Sequence, residues 1–228
     1  PVVVGAGTNS LRQTVRNMEF FSPHGADAFL VVVPYYNKPT QKGQYEYFKA
    51  VAEATDKPVI IYNVPGRTGA NMEASTCIRL AQDVPNIVGI KEASGKFSQI
   101  ADIIAGVPKS FSVLSGDDDI TMSMMNAGAA GVISVASNAI PELMVEVVEA
   151  LGAPQVCGAD FVSAPDMARS AELFYRLRPF FSACFVESNP IPVKAALALM
   201  GLIHNELRLP LVPCSANTEN LMREVLVK

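Results

Sequence analysis

Short apolar runs rich in β-branched residues alternate, along much of the chain, with longer stretches of helical periodicity. The apolar runs lie at residues 2–4, 29–33, 59–61, 87–90, 111–114 and 131–135. The stretches that follow them place apolar residues three and four positions apart, as amphipathic helices do; they lie at about 10–22, 40–55, 73–82, 95–105, 119–127 and 140–151. Strands joined through a helix run parallel. The pattern therefore predicts six β/α units of an α/β fold.

The pattern changes after residue 152. Only helical periodicity follows, at about 160–184, 190–201 and 215–227, and prolines separate these stretches. Because proline ends or kinks a helix, the last part of the chain is expected to be several helices without a strand. We therefore predict two parts, with β/α units over residues 1–152 and a helical extension over 153–228.

Lys91 stands at the end of a run, residues 87–90, that has the composition of a fully buried strand. Burial disfavours the ammonium form and lowers the pKa of a lysine, so that a free amine is available to attack carbonyl carbon. This is the chemistry of imine-forming aldolases. Two simpler interpretations remain open from this run alone: the side chain reaches the surface, or it pairs with Glu92.

The preceding strand-like run ends in a turn-rich segment, residues 62–69, that contains Tyr62 and Arg67. Carboxyl ends of parallel strands meet at one edge of a sheet, where ligands bind. A phenol there can move protons to and from a substrate oxygen, and a guanidinium can bind a carboxylate through two hydrogen bonds. We therefore expect Tyr62 and Arg67 to lie near Lys91.

Five motifs stand out along the chain: PYYNKP at 34–39, YNVPGRTG at 62–69, GIKEASG at 89–95, SGDD at 115–118 and NPIPVK at 189–194. Together they resemble the 4-hydroxy-tetrahydrodipicolinate synthases, also called dihydrodipicolinate synthases, within the pyruvate-dependent lyases related to N-acetylneuraminate lyase. The resemblance extends over nearly the whole chain. The arginine of the second motif and the whole fifth motif favour the synthases over the wider group.

This resemblance implies roles for individual residues. Lys91 would form a Schiff base with the ketone of pyruvate, and Tyr62 would relay protons during imine formation and cyclisation. Arg67 would bind the carboxylate of aspartate semialdehyde. Tyr36 would complete the relay across a subunit interface, which requires a homodimer or homotetramer; the alternative is an aromatic pair that packs under a loop.

Further residues are implied in substrate binding. Ile133 matches a residue whose main-chain carbonyl lines the pyruvate pocket, and Gly116, Asp117 and Asn189 match other substrate-binding positions. The imine on lysine would be the only covalent intermediate, so no external cofactor and no metal are expected. The three aspartates at 117–119 could ligate a hard cation, but aspartates before a helix usually cap it.

The resemblance also implies a complete (β/α)₈ TIM barrel with a C-terminal helical extension. Six units are found, and the family's threonine motif, Gly-Thr-Thr-Gly-Glu, is missing. The chain also begins at Pro1, without an initiator methionine and within an apolar run. We therefore expect the first two units and the threonine motif to be encoded upstream.

Composition excludes several classes of protein. The net charge of −4 and pI near 5.3 give no general attraction for nucleic acid or anionic membranes. The sequence has no run of eighteen apolar residues, so no membrane span is expected. The four cysteines form no C-x-x-C pair, so we expect reduced thiols and a cytoplasmic protein, with any organellar targeting lying upstream.

Two other interpretations of function remain open. A sialic acid or keto-deoxy sugar aldolase would keep Lys91 and Tyr62 without needing Arg67, and a catalytically silent homologue would keep the fold alone.

Regulation is a separate question, because lysine-sensitive members of the family bind lysine through residues matched here by Asn9 and Tyr35. A glutamate of that site appears here as Gln13, so weak or absent inhibition by lysine is expected.

Overall fold

The six apolar runs form one parallel sheet whose strand order follows the chain order. A computed structural model describes residues 1–152 and 165–226. The strands are β1 (Val3–Gly5), β2 (Ala28–Val32), β3 (Val59–Asn63), β4 (Ile87–Glu92), β5 (Ser112–Ser115) and β6 (Gly131–Val132). The predicted parallel α/β arrangement is confirmed.

Helices follow the strands and pack side by side along one face of the sheet. In chain order the helices are α1 (Leu11–Phe21), α2 (Gln41–Glu53), the short α3 (Pro65–Thr68), α4 (Ala74–Asp83), α5 (Phe97–Gly106), α6 (Thr121–Asn126) and α7 (Pro141–Ala150). The short α3 is the exception, because it belongs to the loop at the carboxyl end of β3. Neighbouring helices are in contact: α1 packs against α2, and α4 packs against α5. The opposite face of the sheet, the interior face, is left uncovered by these helices.

The two faces of the sheet differ in burial. On the helix side, Phe29 and Val31 of β2 and Ile61 of β3 are fully buried. Burying each such side chain is worth about 1.5–3 kcal/mol. The residues that alternate with them, such as Leu30 and Ile60, are only half-buried although they are apolar. The main core thus lies between the sheet and its helices.

Three strand boundaries differ from the predicted ones in ways that affect the site. Strands β3 and β4 are longer, so that Tyr62 and Lys91 belong to the strands themselves. The prediction that the sixth strand reaches residue 135 was wrong, since β6 ends at Val132. Beyond this strand, the carboxylate of Asp118 accepts hydrogen bonds from the backbone N–H groups of Val135 and Ala136.

Three helices follow residue 165: α8 (Met167–Ala183), α9 (Ile191–Leu199) and α10 (Ala216–Leu226). They match the helical stretches expected there, although residues 160–164 of the first stretch lie outside the described residues. Helix α8 packs against α6, α7 and the 3₁₀ turn Asp118–Ile120, which places it beside the carboxyl end of β5. Within residues 1–152 and 165–226, none of the helices combines the length and apolar character needed to cross a bilayer.

Candidate active site

A cavity of about 300 Å³ opens at the carboxyl ends of β3, β4 and β5. It is lined by Tyr62, Val64, Arg67, Lys91, Ala93, Gly116, Asp117, Asp119, Val135, Phe181, Ser182, Phe185 and Asn189. The position agrees with the general location of ligand sites in parallel α/β sheets. Of the eight site residues predicted from the sequence, six line this one cavity.

Lys91 and Tyr62 face each other across neighbouring strands. They are paired in the register of β3 and β4, so both side chains project from the same face of the sheet. The Nζ atom of Lys91 lies 4.4 Å from the centroid of the Tyr62 ring, a cation–π distance. The amine is therefore held next to a phenol within the cavity.

Burial shifts the pKa values of both groups in the directions that the expected chemistry needs. Desolvation lowers the pKa of Lys91; the nearby charge of Asp118 opposes this shift, and that of Arg67 adds to it. Burial raises the pKa of Tyr62, against a smaller opposite effect from Arg67. The lysine is thus shifted toward its nucleophilic free amine, and the phenol toward its neutral, proton-donating form.

The alternative in which Lys91 pairs with Glu92 is wrong. Side chains alternate along β4, so Glu92 points to the opposite, helix-covered face and is fully buried. Its carboxylate accepts hydrogen bonds from the Asn63 side chain and the Ser94 backbone. Within residues 1–152 and 165–226, Lys91 forms no ion pair.

Arg67 lies on the short helix α3 at the rim of the cavity. Its guanidinium donates to the backbone carbonyl of Asn189 over 3.3 Å. This single long bond joins the loop after β3 to the segment before α9. The exposed remainder of the guanidinium leaves donors available to a carboxylate at the cavity mouth.

The loop after β5 contributes Gly116 and Asp117. A Cβ atom at Gly116 would lie 2.7 Å from the Cβ of Ala93 and 3.1 Å from the Cγ and Cε of Lys91. Only glycine leaves room for the lysine side chain to pass along this wall. Asp117 caps the following 3₁₀ turn by accepting the N–H of Asp119, as expected from its place before a helix, and burial raises its pKa.

Two predicted site residues lie away from this cavity. Ile133 directly follows β6 and donates its N–H to the Ser115 carbonyl at 2.8 Å; its neighbour Val135 lines the cavity instead. Tyr36 is 87% exposed and has a positive φ of 70°. It lines a separate open groove, which it shares with Arg67.

Sequence reasoning missed two contributions to the site. Phe181, Ser182 and Phe185 reach the cavity from the carboxyl end of α8 and the turn after it, and a helical sequence gives no sign of which strands it will cover. Asp118 was predicted only as part of a capping run. It is instead buried, it holds the chain after β6 through two backbone N–H groups, and its charge acts on Lys91.

Comparison with known proteins decides the family. The model of the dihydrodipicolinate synthetase family matches residues 1–228. This chain belongs to that family. The 4-hydroxy-tetrahydrodipicolinate synthase of Thermosipho melanesiensis is 46% identical over 99% of this chain and 75% of its own length.

Solved structures of the family agree with the fold. The dihydrodipicolinate synthase of Thermotoga maritima superposes with a TM-score of 0.93 at 47% identity, over 100% of this chain and 74% of that one. A structure described as the first monomeric dihydrodipicolinate synthase variant gives 0.93 at 47% identity, over 100% of this chain and 73% of that one. The chain thus spans about three quarters of the length of these relatives.

Proposed function

We infer that this chain is a lyase that condenses pyruvate with L-aspartate 4-semialdehyde to give 4-hydroxy-tetrahydrodipicolinate, a step of lysine biosynthesis. Family membership and relatives of that name at 46–48% identity support the reaction. The observation that supports the mechanism most directly is the half-buried amine of Lys91, 4.4 Å from the Tyr62 ring. The site residues and their roles below are part of this proposal.

The first half of the reaction takes place on Lys91. Its free amine attacks the ketone carbon of pyruvate, and loss of water leaves an iminium bond between the Nζ atom and that carbon. Loss of a proton from the methyl group then gives an enamine, whose terminal carbon attacks the aldehyde carbon of the second substrate. Attack of that substrate's own amino group on the iminium carbon closes the ring and releases Lys91.

Tyr62 is the proton carrier of this proposal. Dehydration to the imine needs a proton on the departing oxygen, and its neutral phenol lies beside the amine that forms the new bond. Tyr36 would extend the relay from a second copy of the chain. Its exposure at 87% supports a residue that reaches out to a partner.

Arg67 favours the semialdehyde over sugar aldehydes. Its guanidinium stands at the rim of the cavity, where the carboxylate of a short amino acid aldehyde would lie when the aldehyde carbon meets the enamine. An aldolase for a long neutral sugar needs hydroxyl-binding groups there. The Asn189 carbonyl that accepts from Arg67 supports this orientation of the guanidinium.

Borohydride trapping tests the proposal directly. Reduction in the presence of pyruvate should add a reduced pyruvyl group to Lys91, identified by mass spectrometry of the peptide, because only an amine forms a reducible imine. An adduct on a different lysine would remove the assignment. A panel of aldehydes, including N-acetylmannosamine and keto-deoxy sugar precursors, then decides the second substrate by turnover.

We also propose that the sheet is six units of a (β/α)₈ barrel, with two more supplied by sequence outside these 228 residues. Strands β1 and β6 have free edges within the described sheet, and its interior face exposes apolar residues such as Leu30 and Ile60. Parallel sheets bury both faces, so this face is expected to be covered.

Three further parts of the proposal concern assembly and composition. The helices after residue 152 form the extension beside the barrel. The working unit is a homodimer or homotetramer, as the exposed Tyr36 suggests. The covalent imine replaces an external cofactor.

A further inference from the structure

Asn63 and Glu92 form a buried polar pair directly behind the reacting pair. They are matched in the register of β3 and β4, one position beyond Tyr62 and Lys91. Since side chains alternate along a strand, the two pairs lie on opposite faces of the sheet. Both Asn63 and Glu92 have no exposed surface, and Nδ2 of Asn63 donates to Oε2 of Glu92 over 3.0 Å.

The hydrogen bonds around this pair have only one possible direction. The backbone N–H of Met72 donates to Oδ1 of Asn63 at 3.0 Å, so the amide nitrogen of Asn63 must point to Glu92. On the other side, the Ser94 N–H donates to Oε1 of Glu92 at 2.6 Å. Gln99 also donates to Oε2 over a longer 3.4 Å.

Position 92 therefore needs an acceptor at both of its side-chain atoms. A carboxylate meets this need because both oxygens accept. A glutamine does not, because its NH₂ group would face the Ser94 N–H or the amide nitrogen of Asn63. A buried donor left against a donor costs about 1–3 kcal/mol, and this cost favours a separation of the two strands.

This pair lies where a shift of the strands would matter most. The register between β3 and β4 changes between Val59 and Ile60, near the amino ends of the two strands. Beyond that irregularity, the Asn63–Glu92 bond is a side-chain link that crosses directly from β3 to β4. The neighbouring Tyr62–Lys91 contact, at 4.4 Å, depends on the same alignment.

We propose that Asn63 and Glu92 are positioning residues that hold the Tyr62 phenol against the Lys91 amine. They do so by fixing the carboxyl ends of β3 and β4 from the face opposite to the cavity. Neither touches the substrate. The inference rests on the proposed role of Lys91 and adds to it the part of the structure that aligns the reacting groups.

The test compares three variants of the intact protein. Glu92→Gln should lower kcat at least tenfold while the KM for pyruvate changes less than threefold, because the cavity wall is unchanged but the phenol and amine are misaligned. Asn63→Asp with Glu92→Gln should recover most of kcat. The new amide donates to the new carboxylate, and the side-chain amides of Asn71 and Gln99, which bind this pair, can each turn over to match the reversed direction. Asn86→Ala is the matched control at the other end of β4, where its side chain binds the carbonyls of Ala52 and Thr55.

The control separates alignment from stability. Asn86→Ala should lower the Tm and leave kcat within twofold of the parent. If Glu92→Gln also keeps kcat within twofold, the proposal is overturned. If Glu92→Gln does not fold, the double variant decides: a folded double variant with kcat still tenfold low contradicts the proposal, and a recovered kcat supports it.

Borohydride trapping on the unaltered protein separates a failure of the proposed function from a failure of the positioning role. Without a pyruvyl adduct on Lys91 the proposed function fails, whatever the variants show. With the adduct present and kcat unchanged in Glu92→Gln, only the positioning role fails.

Discussion

At the scale of single residues, burial sets the direction of the Lys91 pKa shift, and the nearby charge of Asp118 opposes it. Burial lowers the pKa of Lys91 and Asp118 raises it, so the rate of imine trapping should rise with pH through a midpoint below that of an ordinary lysine. Asp118→Asn removes the opposing charge and should move this midpoint to still lower pH. The pH profile of borohydride trapping with pyruvate measures both.

A substitution at Arg67 should shift the midpoint of Lys91 in the opposite direction, because the charge of Arg67 lowers the pKa of Lys91. The midpoint in Arg67→Ala should therefore move to higher pH. Midpoints that move in the same direction in both variants would contradict this electrostatic account.

Arg67 should also affect the two substrates unequally. Loss of a charge-assisted hydrogen bond costs about 1.5–3 kcal/mol, so Arg67→Ala should raise the KM for aspartate semialdehyde by roughly 10- to 100-fold, with a much smaller change for pyruvate. Steady-state kinetics with each substrate varied measures the difference. Arg223→Ala, on the distant helix α10, is the control; equal effects on both substrates would contradict the assigned role of Arg67.

The residues that could be predicted from the sequence are those with unusual chemistry for their place. A lysine at the end of an apolar run is recognisable from the sequence alone, and so are a tyrosine and an arginine after the previous run. Asp118 was not, since its neighbours are also aspartates and its partners, Val135 and Ala136, are distant in sequence. The aromatic residues of α8 were hidden for the same reason, because their place over the cavity depends on tertiary packing.

At the scale of elements, the turn between β1 and α1 depends on close backbone contact. A Cβ atom on Gly7 would lie 2.4 Å from the backbone nitrogen of Val32, a backbone atom that cannot rotate away. Gly7→Ala should therefore lower the free energy of unfolding by about 1–3 kcal/mol, measured by denaturant titration. At Gly43 on α2 a Cβ atom would make only ordinary contacts, the nearest being the Cβ of Pro39 at 3.4 Å, so Gly43→Ala should cause no loss; a similar loss in both variants would contradict the steric explanation.

Element types could be predicted from hydrophobic periodicity, whereas their ends could not. The alternation of strands and helices is a local property of the sequence, and all six strands form where apolar runs predict them. Just after β6, the backbone N–H groups of Val135 and Ala136 bind the distant carboxylate of Asp118, a tertiary contact that hydrophobic periodicity does not show. The short helix α3 was missed because Pro65 and Gly66 are also typical of a turn.

At the scale of the whole molecule, inhibition by lysine is expected to be weak. Gln13 is exposed on α1, and its side chain donates to Asn17 over 2.9 Å. An amide in place of a carboxylate removes the strongest partner for the effector's ammonium group. Gln13→Glu should restore sensitivity and lower the half-inhibitory lysine concentration by roughly 10- to 100-fold, measured by titration of the intact enzyme. Potent inhibition of the unaltered enzyme would contradict this account.

The cavity wall has two separate origins in the chain. The strands supply the amine and the phenol, whereas Phe181, Ser182 and Phe185 come from α8 and the turn after it, more than eighty residues later. A library randomised at these three positions would therefore vary the shape offered to the second substrate without altering the β3–β4 pair. Redesign of this enzyme for new aldehydes should begin at the end of that helix.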